Sequence, residues 1–215
     1  MQRRHFSALA AASVGLGLAR NAGAQGTPVN GQDYATLSPP VPVAAPAGSI
    51  DVIEFFSFAC PHCFEFEPLL EAWLARKPAG VRFHRSPVRF LQNYANFQPM
   101  YFALEAMGLA DTLPQKVFEA VHVEHQRLDK PDDIAAFMAR NGVDAARFMS
   151  LFNSFGVRTK VQQANALLEA CGVDAIGVPA LAVQGRWVTS PRQAKSGQQA
   201  LAVVDWLAGQ VRAGR

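Results

Sequence analysis

Cys60 and Cys63 stand two residues apart in the segment Ala59-Cys60-Pro61-His62-Cys63, a spacing that can carry redox chemistry. The apolar run Val52 to Phe58 precedes them and reads as a buried strand, and Phe64 to Lys77 reads as a helix. Pro61 suits a first helical turn, where its missing N–H costs no hydrogen bond, so the helix opens at Pro61 with Cys60 at its cap. There a thiolate meets unpaired backbone N–H groups and the positive end of the helix dipole. Such a thiolate forms easily and attacks other sulfurs. At spacing i, i+3 the two sulfurs share one helical face and can close a small-loop disulfide. Cys60, at the cap, is expected to be the more exposed, attacking sulfur. Cys63, one turn inside, is expected to resolve the mixed disulfide.

Pro61 and His62 tune the pair because they lie between its members. A protonated imidazole beside Cys60 stabilises the thiolate, and with it the reduced protein. Each unit by which the Cys60 pKa falls below ambient pH is worth about 1.4 kcal/mol. For a two-electron couple that is roughly 30 mV in the oxidising direction. The implied role is donation of a disulfide. Glu54 is a carboxylic acid inside an apolar strand. It reads either as an outward-facing edge residue or as a buried acid that moves protons to and from Cys63. Arg82 and His84 alternate on the next strand, and either could partner that acid.

The third cysteine, Cys171, ends a helix before Gly172 and reads as a buried inert thiol, with a regulatory or dimer-forming thiol as the alternative. No metal is expected. Structural zinc usually takes four Cys or His ligands, often as two Cys-x-x-Cys pairs, and the chain has one such pair. His122 and His125 have the spacing of a metal pair on a helix, but no third ligand is evident nearby, so they read as a solvated helix end.

The 215 residues, half of them apolar, suffice for one domain with a sizeable core, or for a domain plus an insertion. Residues 1–24 read as a signal peptide: Arg3 and Arg4, an apolar stretch from Ala8 to Leu18, and the small-residue cleavage site Ala22-Gly23-Ala24. Arg3-Arg4-His5-Phe6 is similar to part of a twin-arginine signal, while Gln2 and Ser7 depart from its fuller pattern. Either export route leads most simply to a bacterial periplasm, an oxidising compartment that permits disulfides. The signal also accounts for the net charge of +3. Without Arg3, Arg4 and Arg20, 17 basic groups balance 17 acidic ones. The basic balance therefore gives no support for nucleic-acid binding.

Residues 25–33 are small and polar and read as a flexible N-terminus. Tyr34 to Val43 reads as a proline-punctuated edge strand, Ile50 to Phe58 as a central strand and Val81 to Ser86 as a second core strand. From Phe97 to Cys171 only helical periodicity is visible. The candidate helices are Met100 to Met107, Pro114 to His125, Asp132 to Asn141, Ala145 to Phe155 and Arg158 to Ala170, separated by Gly108, Pro131, Gly142 and Gly156. Ala180 to Val183 and Arg186 to Thr189 form a hairpin about Gln184-Gly185, and a last helix runs from Gln198 to Val211. Residues 34–90 and 172–211 thus make a small α/β redox domain, and 91–171 an inserted helical subdomain.

Three segments carry a resemblance: Tyr34-Ala35-Thr36-Leu37, Ile53 to Cys63, and Gly177-Val178-Pro179-Ala180. Together they resemble the DsbA family of thiol:disulfide oxidoreductases over roughly Tyr34 to Val211. The resemblance implies a thioredoxin fold with an inserted helical domain, in agreement with the element order. It implies Cys60 as nucleophile and Cys63 as resolving partner. Pro179 matches a cis-proline that faces the pair and shapes a substrate groove, and Val178 matches the residue whose backbone pairs with an extended substrate. Glu54 matches the family's buried glutamate.

The expected activity is a protein disulfide oxidase acting on unfolded or newly exported thiol proteins. No dissociable cofactor is needed beyond the Cys60–Cys63 disulfide. By resemblance, a DsbB-like inner-membrane protein working with quinone reoxidises the pair; a monomer is the default expectation. Three rivals are a disulfide isomerase or reductase, a peptide-binding chaperone module whose disulfide is structural, and a glutathione-linked enzyme of related fold.

Overall fold

A computed structural model describes residues 26–89 and 95–214. The signal segment 1–24 lies outside the described residues. Five strands form one sheet in the order β1-β5-β4-β2-β3. These are β1 (Ala35–Thr36), β2 (Ile50–Phe56), β3 (Val81–Pro87), β4 (Ala180–Val183) and β5 (Trp187–Thr189). The β2–β3 pair is parallel and the other pairs are antiparallel. All seven residues of β2 are buried because it has a strand on each side and is covered on both faces. That explains why its sequence is a near-continuous apolar run instead of an alternation.

One face of the sheet is covered by α1 (Pro61–Leu74) and α8 (Gly197–Arg212), which pack Leu70, Trp73, Val204 and Leu207 against Val52 and Leu181. The other face carries Ile53, Phe55 and Ala182 against the end of α6 (Phe155–Ala170), including Leu168, and the short α7 (Val173–Ile176), which the periodicity did not reveal. Between β3 and α6 lie α2 (Phe97–Ala106), α3 (Pro114–His122), α4 (Pro131–Arg140) and α5 (Ala145–Phe152). They share an apolar core that also takes in Phe56, Phe58, Cys60 and Cys63. The cysteine pair therefore sits where the helical insertion meets the sheet. Among the described residues, no helix is long and apolar enough to cross a membrane.

Side-chain chemistry sets several boundaries. Asp144 caps α5 by accepting from Arg147 N at 3.0 Å, and Ser154 caps α6 by accepting from Val157 N at 3.2 Å. Gly156 is therefore in the first turn of α6 and does not separate it from α5. The edge strand is shorter than expected. Only Ala35–Thr36 pairs with β5, although Leu37 N and Val41 N still donate to Arg186 O and Gly185 O. Pro39, Pro40 and Pro42 have no N–H to continue the ladder. The hairpin turn is tight: Gln184 and Gly185 have φ of 53° and 58°. A Cβ on Gly185 would lie 1.9 Å from Val41 O, so only glycine lets the edge segment approach.

Candidate active site

β2 ends at Phe56, and a short turn delivers Cys60 to the N-cap of α1 with an extended backbone. Pro61 opens the helix, and no side chain caps it. Cys63, Phe66, Glu67, Leu70 and Trp73 form its buried stripe. Cys60, Cys63 and Cys171 are all free thiols in the structure, so it describes the dithiol form.

Exposure distinguishes the two sulfurs less than the cap position suggests. Cys60 is 2% exposed and Cys63 0%. What differs is the wall each one forms. Cys60 lines a groove of about 760 Å³ with His62, Leu69, Val178, Pro179 and Arg192, whereas Cys63 does not reach it. Across that groove Cys60 Sγ lies 3.4 Å from the carbonyl oxygen of Val178. The Val178–Pro179 bond is cis.

The electrostatics separate the pair further. The Cys60 thiol is lowered from 9.0 to about 6. The largest cause is the hydrogen bond from the Cys63 thiol. Burial opposes it, and the backbone N–H groups of Cys63 and His62 assist. The charge of His62 ranks behind these, so the imidazole is a weaker influence than the sequence implies. His62 is itself held by Glu65, whose Oε2 is 3.1 Å from Nδ1, and its pKa is raised chiefly by that bond. Cys63 is pushed well above its ordinary value, first by burial and then by the neighbouring Cys60. One sulfur is thus poised as a thiolate and the other as a thiol.

Glu54 is buried beneath the pair, on the α1 face of β2, with no exposed surface. Its partner is Arg85, not Arg82 or His84. Glu54 and Arg85 are register neighbours on β2 and β3, with Nε 2.9 Å from Oε2. The contact is poorly aligned, and among the described residues neither Glu54 oxygen has a hydrogen-bond partner. Arg85 Nη2 instead donates to both oxygens of Glu67, at 3.1 and 2.9 Å. Burial therefore raises the Glu54 carboxyl to about 8, with Arg85 only partly offsetting it. Arg82 and His84 point to the opposite face, where both are exposed at the β3 edge of the sheet and His84 Nδ1 lies 3.5 Å from Asp51 Oδ1. A strand alternates its faces, so a one-residue error in assigning the inward position selects the wrong cation. Glu67 was also missed. Its signal was an acid on the buried stripe of α1, four residues beyond Cys63.

Cys171 is 1% exposed, and burial pushes its thiol up to about 11, as suits an inert core thiol. His122 departs from expectation. It is not a solvated helix end: its Nε2 is 2.8 Å from Phe58 O, and its ring stacks on Phe64 at 5.2 Å. His125 takes no part in this contact. Among the described residues, no group of three or more His, Cys, Asp or Glu side chains could hold a metal.

The DSBA-like thioredoxin domain model matches residues 51–203. The chain belongs to the DsbA family. It is a thiol:disulfide oxidoreductase of that family, with Cys60–Cys63 as its Cys-x-x-Cys pair. The thiol:disulfide interchange protein DsbA of Burkholderia cepacia is 36% identical over 200 residues, covering 93% of each chain. That of Bordetella parapertussis is 42% identical, covering 84% of this chain and 85% of the relative. The crystal structure of Pseudomonas aeruginosa DsbA superposes with a TM-score of 0.80 at 37% identity, covering 86% of this chain and 94% of that one. The DsbA of Xylella fastidiosa gives 0.79 at 33% identity, with coverages of 86% and 98%. The thioredoxin-like fold with a helical insertion is common to these DsbA structures and this chain.

Proposed function

We propose that this DsbA-family chain donates the Cys60–Cys63 disulfide to thiol proteins newly exported to the periplasm. The observation that carries the reading is the asymmetry of the pair. Cys60 sits at a helix N-cap on the floor of an open groove with its thiol at about 6, whereas Cys63 is sealed behind it with its thiol raised.

The chemistry follows from that asymmetry. A substrate thiolate attacks Cys60 Sγ of the disulfide, forming a mixed disulfide and expelling Cys63 as a thiolate. Cys63, buried and high in pKa, takes up a proton. A second substrate thiolate attacks the substrate sulfur of the mixed disulfide and expels Cys60. Cys60 is the better leaving group because its thiolate is the more stable. Two electrons pass from the substrate dithiol to the enzyme pair. The Val178–Pro179 edge of the groove holds the extended substrate backbone. Pro61, His62 and Glu54 tune the pair, Glu54 as a buried acid beneath it that moves protons to and from Cys63.

In this reading residues 34–90 and 172–211 form the redox domain, 91–171 the helical subdomain and 1–24 the export signal. A DsbB-like membrane partner restores the disulfide, and the protein works as a monomer.

The test is equilibration of the pair with a glutathione redox series, alongside oxidation of a reduced substrate protein by wild type and Cys60→Ser. A disulfide donor has a pair that stays reduced in oxidising buffer, and it loses all oxidase activity in Cys60→Ser. A pair that stays oxidised in strongly reducing buffer would assign the disulfide to a structural or reductive role.

A further inference from the structure

His122 ends α3, the second helix of the insertion, 64 residues along the chain from Phe58 in the turn that delivers Cys60. It touches the active-site segment at both ends. On one side its Nε2 is 2.8 Å from the carbonyl oxygen of Phe58, two residues before Cys60. A carbonyl only accepts, so Nε2 must carry the hydrogen. On the other side its ring lies parallel to Phe64, the residue after Cys63, with centroids 5.2 Å apart and planes 11° apart. Phe118, one turn earlier on α3, closes the stack at 6.1 Å from both rings. Phe118 also meets Phe58 edge-on at 5.0 Å.

We infer that His122 is a positioning residue that clamps the segment Phe58 to Phe64 and so sets the geometry in which Cys60 becomes a thiolate. The inference rests on the reading of Cys60 as the attacking sulfur. The thiolate depends on short, directional contacts: the Cys63 thiol and the backbone N–H groups of His62 and Cys63. These weaken steeply when misaligned. Among the described residues no strand hydrogen-bonds the Phe58 carbonyl, because β2 has ended at Phe56. The insertion supplies that anchor through His122, which gives the helical subdomain a part in the chemistry beyond bounding the groove. The arrangement is also selective for chemistry over shape. A phenylalanine would keep the stack and lose the donor, and a glutamine would keep a donor and lose most of the stack.

The experiment compares wild type, H122F and H122Q by three readouts. These are the Cys60 thiolate titration at 240 nm, the glutathione equilibrium constant, and thermal unfolding of both redox forms. H122F is expected to raise the Cys60 midpoint and make the pair about fivefold less oxidising, the effect of one lost hydrogen bond. H122Q is expected to recover most of that change. The reduced form of H122F loses more stability than its oxidised form. Equal loss of stability in both forms, with titration and equilibrium unchanged, would reduce His122 to packing and overturn the inference. Nitrogen NMR of wild-type His122 gives a test that does not depend on a variant folding: an Nδ1–H tautomer, unable to donate to Phe58, also overturns it. If wild-type Cys60 titrates near 9, the reading of Cys60 fails, whereas a normal wild type with an unchanged H122F fails the clamp alone.

Discussion

Cys60 Sγ and the carbonyl oxygen of Val178 face each other at 3.4 Å, joining segments 118 residues apart in the chain. As a thiol Cys60 donates to that oxygen. As a thiolate it has no hydrogen to give, and the carbonyl is released. Ionisation of Cys60 and release of a backbone acceptor on the groove wall are therefore linked. On the proposed function, that acceptor is free for an extended chain when Cys60 is a thiolate and equally when Cys60 is in a disulfide.

The reduced protein should titrate at Cys60 with a midpoint near 6. The folded pKa is depressed, so the stabilisation is fully present above about 9 and is lost as pH falls through about 6. At pH 7 it should amount to on the order of 1 kcal/mol relative to a protein without that thiol. Urea denaturation of reduced wild type and reduced Cys60→Ser from pH 5 to 9 checks this. Parallel stability curves for the two would contradict it.

Glu65→Gln should lower the His62 midpoint, because the Glu65 hydrogen bond is the first cause of its elevation. The effect on Cys60 should be small, since the His62 charge ranks below the Cys63 thiol and the backbone N–H groups. Proton NMR titration of His62 together with the 240 nm titration reads both. A Cys60 shift as large as the His62 shift would restore the imidazole to first place.

Glu54→Gln should be more stable than wild type at high pH. The folded carboxyl is raised to about 8, so the wild-type contribution is fully present below about 4.5 and is lost as pH rises through about 8. The advantage of the variant should grow across that interval to on the order of 1–3 kcal/mol. Steps that protonate Cys63 should slow. Denaturation of the oxidised protein at pH 4, 7 and 9 measures the trend, and a variant weaker than wild type at every pH would show that Arg85 requires the carboxylate.

Cys171 should resist alkylation in the native oxidised protein and react only on unfolding, because it is 1% exposed with its thiol raised to about 11. Cys171→Ala should leave exchange rates unchanged and cost about 1 kcal/mol of stability from the lost sulfur packing. Rapid labelling of native protein, followed by mass spectrometry, would give this thiol a regulatory role.

Much of the molecule was legible in its sequence, and for local reasons. Helix and strand periodicities, the proline after Cys60 and the glycines of the turns are short-range signals. They placed β2, α1, the helical insertion and the final hairpin within a few residues of their observed ends. The Cys60–Cys63 spacing at a strand-to-helix junction, together with the resemblance of the segments around it, pointed to their chemistry. Tertiary structure decided what surrounds that chemistry. Whether Arg82, His84 or Arg85 meets Glu54 depends on which face of β3 points inward, and that is set by the parallel register with β2. Whether His122 is solvated or bound to Phe58 depends on how the insertion folds back over the active-site loop. Which sulfur lines the groove depends on how α1 packs beside the Val178–Pro179 edge. Each of these is a contact between residues far apart in the chain. Periodicity describes a residue's neighbours along one element, whereas burial, ion pairing and thiol acidity are set by the neighbours that packing brings from elsewhere.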